Sequence, residues 1–209
     1  MSFLTYGLDH RDQLLTATAQ HLALVALTLL ASIAIAALVT AFIRRAPKIG
    51  EYIQSTLAVL YSIPSLALFA LLIPLLGIGR ATALVVLVAY NQFLLVRNFN
   101  AGLDAVDPGL TAAAHSLGMT SWQTFRHIQL PLATPIFIAG IRLATVSTIG
   151  IATIAAVIDA GGLGTLLFEG LRSHNLNKLL WGTLLAATLA IGTNAALTTL
   201  ESRSGKESG

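Results

Sequence analysis

Apolar residues in this chain run in long blocks instead of alternating with polar ones, and polar residues gather in the gaps between the blocks. A helix that crosses a bilayer needs about 20 mostly apolar residues, because each adds 1.5 Å of rise and every backbone amide must be satisfied within the segment. Stretches 22–43, 56–76, 81–96, 131–158 and 179–200 meet that requirement or come close to it. The first ends at the basic cluster Arg44-Arg45-Ala46-Pro47-Lys48. The second holds Pro64 and Pro74, which either kink it, as helix breaks near substrate paths do in transporters, or mark its ends. The third is short, lying between Arg80 and Arg97, and must lean on snorkelling flanks or on protein packing to span. The pattern predicts an all-α integral membrane protein with five transmembrane helices.

Between the third and fourth stretches lies a connection, 97–131, much longer than adjacent helices need. Asp107 is placed to cap a helix whose first position is Pro108, and Gly118 stands where a left-handed residue would end it. Leu110, Ala113, Ala114 and Leu117 follow the i, i+3, i+4, i+7 spacing of one narrow apolar face. Thr120 or Ser121 can cap a second short helix carrying Trp122, Phe125 and Ile128, which Pro131 is expected to stop. The segment therefore reads as a pair of helices joined by a glycine turn. On spacing alone the pair could equally rest on lipid headgroups, with Trp122 at the interface and Arg126 and His127 near the phosphates.

Composition strengthens the membrane reading. Hydrophobic residues make up 56% of 209, against only 12 Lys+Arg and 9 Asp+Glu, and the mean hydropathy is +0.80. A soluble chain carries about a quarter charged residues, so this one has too little polar surface to be a free cytosolic enzyme. The absence of cysteine excludes disulfides, a thiol nucleophile and thiolate metal sites. The net charge is +3, but the basic residues form no run that would track a phosphate backbone, so no nucleic-acid partner is expected. With five spans the termini lie on opposite sides. Arg44, Arg45, Lys48, Arg97, Arg126, Arg203 and Lys206 fall on one side, whereas Arg11, Arg80, Arg172 and Lys178 fall on the other. The richer side is assigned to the cytoplasm, which puts the N-terminus outside, the C-terminus inside and the helix pair in the cytoplasm. Asp9, Arg11 and Asp12 argue against a cleavable signal peptide. The expected organisation is an external segment 1–20, a membrane domain 21–200 and a flexible cytoplasmic tail 201–209.

The helix pair carries a more specific signal. Ala112-Ala113-Ala114, then Gly118, then Ile128-Gln129-Leu130-Pro131, resembles the EAA loop of ABC-importer permeases, whose pattern is Glu-Ala-Ala, three residues, Gly, nine residues, Ile, any residue, Leu-Pro. The spacing matches throughout, but Ala112 stands at the usual Glu position. The segments Ile63-Pro64-Ser65-Leu66-Ala67, Gly140-Ile141-Arg142 and Ala160-Gly161-Gly162-Leu163-Gly164 are similar to type I, binding-protein-dependent permeases of the osmoprotectant branch, which handles glycine betaine, carnitine and choline. The resemblance covers roughly residues 20–200. It implies that Ala112, Ala113, Ala114, Gly118, Ile128, Leu130 and Pro131 form a coupling segment that docks on a separate ATPase subunit. It further implies two ATPase copies, a second permease subunit, identical or related, and an external substrate-binding protein. Permeases for methionine or another amino acid are the alternative branch. A stand-alone channel or a scaffolding membrane protein is more remote, since neither accounts for the spaced Gly118–Pro131 pattern.

Several further residues are candidates for a gate or pathway: Pro64, Asn91, Gln92, Arg142, Gly161, Gly162 and Gly164. Asn91 and Gln92 either hydrogen-bond to neighbouring helices or line a polar path. An arginine inside a span is costly, so Arg142 must snorkel to the cytoplasmic face or meet a partner or cavity. No Gly-Lys-Ser or Gly-Lys-Thr follows the glycine run, so no nucleotide site is expected. No nucleophile–base arrangement or metal-ligand spacing is present, and neither catalysis nor a cofactor is predicted.

Overall fold

The computed structural model describes residues 3–207, and they are helical, with no strand among them. Helix α1 is Phe3–Asp9 and α2 is Arg11–Arg45. Helices α3, Pro47–Ser62, and α4, Ser65–Leu76, precede α5, Arg80–Asp104. A short α6, Pro108–Ser116, leads to α7, Ser121–Thr124, and α8, Leu130–Ile154. Helices α9, Leu163–Arg172, and α10, Leu176–Glu207, complete the chain.

Among the described residues, four segments are individually long and apolar enough to cross a membrane: Arg11–Arg45, Arg80–Asp104, Ser121–Ile158 and Leu176–Gly205. The expected second span is not one straight helix. Helices α3 and α4 are bent by 99° at their junction, so a fifth crossing exists only if this broken pair makes it. The cause is local: a proline ring disfavours the α region for the residue before it, and Ile63 is extended at ψ 131°. The Tyr90 hydroxyl donates to the Ile63 carbonyl, which the break leaves without a helical partner. Pro74 lies within α4 and does not end it.

The third span also differs from expectation. Helix α5 has 25 residues instead of the short apolar stretch 81–96, and 56% of its most apolar window is buried. Its asparagines dilute the hydropathy signal, yet Asn91 and Asn100 point into the protein, where their amides are bonded.

Helix α8 is central, packing against α2, α5, α9 and α10. Phe69, Leu87, Tyr90, Ile149 and Ala152 form the middle of the core, joining α4, α5 and α8. Leu95, Val96, Phe99 and Ala144 continue it towards α6. Leu14, Ala17, Leu163 and Leu166, with Trp181 beside them, close the opposite end. There α1 is fastened to α10: Phe3 stacks on Trp181 with ring centroids 4.7 Å apart, and the Trp181 indole donates to the Phe3 carbonyl at 3.0 Å.

The last helix runs past Glu201, where the polar tail begins, to Glu207.

Candidate coupling segment and gate

Short-range chemistry builds the segment between α5 and α8. The Asp107 carboxylate accepts from the Gly109 amide at 2.7 Å, and Pro108 fills the first helical position of α6. The helix ends in a reciprocal pair of bonds, from Gly118 N–H to the His115 carbonyl and from Met119 N–H to the Ala114 carbonyl, each 3.0 Å. That pairing is the Schellman ending, and it needs the left-handed φ of +83° that Gly118 adopts. Thr120 then caps α7: its hydroxyl accepts from the Gln123 amide at 3.3 Å, while Gln123 Oε1 accepts from the Thr120 amide at 2.8 Å. Gln123 is the half of this capping box that sequence reading missed, although Thr-x-x-Gln was the signal for it.

Pro131 does not stop the second helix, contrary to expectation. A π turn at Phe125–Gln129, closed from the Leu130 amide to the Phe125 carbonyl, connects α7 to α8 without a break. A proline inside an α-helix clashes with the carbonyl four residues back and removes one bond. The wider π turn spaces the backbone just before Pro131, which then sits near the start of α8. Helix α7, the π turn and α8 are thus one continuous rod, Ser121–Ile158, with α6 joined to it through the Gly118 turn.

Among the described residues the apolar face of α6 is mostly uncovered. Ala114 is buried, whereas Ala112 and Ala113 are exposed, Leu110 is 47% exposed and Leu117 is 84% exposed. In the second half of the motif Ile128 is half-buried, and Leu130 and Pro131 face outward.

The gate candidates do not converge on one site. Asn91 lies in the middle of the protein, where its amide donates to Thr148 Oγ1 at 2.9 Å and to Ser32 Oγ at 3.3 Å, tying α5 to α8 and α2. Gln92 donates to the Ser32 carbonyl at 3.3 Å. Nearer to α6, Arg142 is held by α10: its Nε donates to Glu201 Oε2 at 3.1 Å and its Nη1 to Asn194 Oδ1 at 3.2 Å. Glu201 and Asn194 are seven residues apart, two turns along one face, but nothing local in the sequence marks them as partners of Arg142. Pro64 is at the exposed α3–α4 break.

The glycine run is at the opposite end. Gly161 and Gly162 have φ of +80° and +81°. The Gly162 amide donates to Gln20 Oε1 at 3.2 Å, and Arg80 Nε donates to the Ala160 carbonyl at 3.3 Å. Gly164 serves a different need, because a Cβ there would lie 1.9 Å from the Thr153 carbonyl oxygen, so glycine alone lets α9 fold back onto the end of α8. From Gln20 to Arg44 along α2 is about 36 Å at 1.5 Å per residue. Loop, polar centre and coupling segment therefore occupy three levels of a molecule about as long as a membrane is thick.

The exposed, capped α6–α7 segment leads into a helix long and apolar enough to cross a membrane, and comparison with known proteins gives the family. The family model described as "Binding-protein-dependent transport system inner membrane component" matches residues 32–204, and the chain belongs to that family of multi-pass inner-membrane permeases. The chain is 39% identical to the osmoprotectant import permease protein OsmW of Salmonella typhimurium, over 91% of each chain. It is 34% identical to the carnitine transport permease protein OpuCB of Listeria monocytogenes, over 97% of this chain and 93% of that one. With the glycine betaine/carnitine/choline transport system permease protein OpuCB of Bacillus subtilis the identity is 33%, over 90% of this chain and 87% of the relative. Among solved structures, the inward-facing MetNI methionine ABC transporter matches with a TM-score of 0.82 at 20% identity, over 92% of this chain and 96% of that one. At that identity the likeness concerns the fold alone.

Proposed function

We propose that this chain is the permease subunit of an ATP-driven importer for osmoprotectants: glycine betaine, carnitine, choline or a related quaternary amine. The observation that carries the substrate class is 33–39% identity, over most of each chain, to permeases bearing those names. The carrier of the coupling role is the outward-facing apolar strip of α6, whose Leu110, Ala113 and Leu117 are exposed among the described residues and which is held in shape by its own caps. In this reading one ATPase subunit docks on the segment Ala112, Ala113, Ala114 and Gly118, whose exposed members are Ala112, Ala113 and Gly118, and a second ATPase copy docks on the partner permease. Ile128, Leu130 and Pro131 set the angle at which the segment enters the membrane. A second permease subunit, identical or related, completes the path, and a binding protein delivers solute to the outer loop at Gly161, Gly162 and Gly164. The α3–α4 bent pair is the fifth crossing, and the N-terminus is outside.

The mechanism follows from the continuity of the rod. Closure of the ATPases displaces α6, and because α7, the π turn and α8 form one helix, the displacement tilts α8. Arg142 carries α10 along with it, and Asn91 transmits the tilt to α5 and α2. The glycine loop, pinned by Gln20 and Arg80, opens or closes as the end of α8 moves. ATP inside and loaded binding protein outside each favour a different state, which is what alternating access requires.

The test is uptake of labelled glycine betaine, carnitine and choline into cells that lack their other osmolyte importers and express this chain with its genomic neighbours. Uptake that disappears when the ATPase is inactivated supports the reading. No uptake of any of the three by an assembled complex moves the substrate to another class, with methionine and other amino acids next.

A further inference from the structure

At the α6 end of the molecule a cavity of about 590 Å³ opens between α2, α5, α8 and the coupling segment. Its chemistry is ordered along α2. Arg44 and Arg45 stand at the mouth beside Trp122, Thr40 comes one turn deeper, and Ala37 and Ile33 line the interior opposite Phe137 and Ile141. Arg44 is shared with the Asp104 carboxylate, but Arg45 has no carboxylate within 4 Å among the described residues. Thr40 is only 4% exposed, and its hydroxyl has no hydrogen-bond partner.

We propose that this groove binds one anionic phospholipid of the leaflet on the α6 side, with its phosphate at Arg44 and Arg45 and an acyl chain along Ala37 and Ile33. The order of groups matches the lipid's own. Seven residues of helix separate Arg44 from Ala37, about 10 Å, and four more reach Ile33, about 6 Å further. Guanidinium groups beside a membrane surface attract anionic headgroups, and the cavity opens from spans that already lie in the bilayer. Trp122 and Phe125 of the coupling segment wall the groove. The lipid would therefore touch the element through which the ATPase is proposed to act, and transport would depend on the membrane's content of anionic lipid.

Trp122 reports on the groove directly. Trp181, the other tryptophan, is replaced by Trp181→Phe, which keeps a ring against Phe3 at the far end of the protein. The full chain is reconstituted with brominated phosphatidylglycerol or brominated phosphatidylcholine, and quenching is titrated. The expected result is about fivefold preference for phosphatidylglycerol, the effect of one added cation at the surface. Arg45→Gln should abolish that preference, while Arg126→Gln, outside the groove, should keep it. Ala37→Phe, which fills the groove, should weaken quenching by both lipids alike. Equal quenching by the two lipids in the parent overturns the proposal, as does a preference that survives Arg45→Gln. Absence of quenching by either lipid also overturns it. If Trp181→Phe does not fold, native mass spectrometry of the unmodified chain gives the same comparison: phosphatidylglycerol retained by wild type and lost in Arg45→Gln.

Discussion

Gly118 illustrates how one residue can control a segment without touching anything. A Cβ built on it has nothing within 4 Å, so the obstacle to replacing it is its φ of +83° and not a clash. Holding an L-residue in the left-handed region costs roughly 1–2 kcal/mol, enough to melt the reciprocal bonds that end α6. Asparagine tolerates that region and β-branched residues do not. Gly118→Asn should therefore keep most solute uptake, whereas Gly118→Val should lower it severalfold at equal membrane abundance, with ATP hydrolysis persisting. Equal uptake by the two variants would remove the turn from the coupling argument. Arg142 presents the opposite case, a side chain defined by its contacts. It and Glu201 are only 28% and 30% exposed, so each would be left half-buried without its partner. Arg142→Gln and Glu201→Gln should each lower the melting temperature, and the double variant should lose less than the sum. A double-mutant cycle is expected to give about 0.5–3 kcal/mol of coupling, typical of residues in one salt-bridge network; additive losses would make the pair incidental.

At the level of elements, the break between α3 and α4 has a measurable signature. Tyr52 and Leu75 are 76% and 78% exposed on either side of it. With a 99° bend, their backbones should lie about 22 Å apart, against about 34 Å for an unbroken helix at 1.5 Å per residue. Spin labels at the two positions should report the short distance in the wild type and a shift towards the long one when Pro64→Ala is combined with Tyr90→Phe. The pair removes both the proline and the hydroxyl that caps the Ile63 carbonyl. If the double variant keeps the short distance, packing of α4 alone dictates the bend. The same elements show what could be read in advance. Asp107, Pro108, Gly118 and Thr120 announced the α6–α7 turn because caps are local, decided by side chains within a few residues of the backbone groups they satisfy. Pro131 misled, because a proline's effect depends on whether the preceding turn widens, and nothing in the neighbouring residues predicts a π turn. The full length of α5 was hidden because polar residues such as Asn91 and Asn100 lower the hydropathy while their amides are satisfied inside the protein. Gln20, Arg80, Asn194 and Glu201 were invisible as site partners for a simpler reason: each meets its partner more than 50 residues away in sequence.

For the whole molecule, the open question is which end faces the cytoplasm, and the chain lends itself to answering it. It contains no cysteine, so a single introduced thiol is the only one present, and a charged maleimide that cannot cross the membrane reports its side. Leu8 in α1 is 73% exposed and Leu117 at the end of α6 is 84% exposed. They lie at opposite ends of the rod, the first near the Trp181 clasp and the second beside the Schellman turn. From the excess of Lys and Arg on the α6 side, that end is predicted to face the cytoplasm. Leu8→Cys should then be labelled in intact cells, and Leu117→Cys only after the membrane is permeabilised. With the ATPase subunit present, Leu117→Cys should stay protected even then, since the exposed strip of α6 is where docking is proposed. Labelling of Leu117→Cys from outside would invert the topology and take the coupling assignment with it. Labelling of Leu117→Cys that is indifferent to the ATPase would keep the orientation but move the docking surface elsewhere on the α6 side.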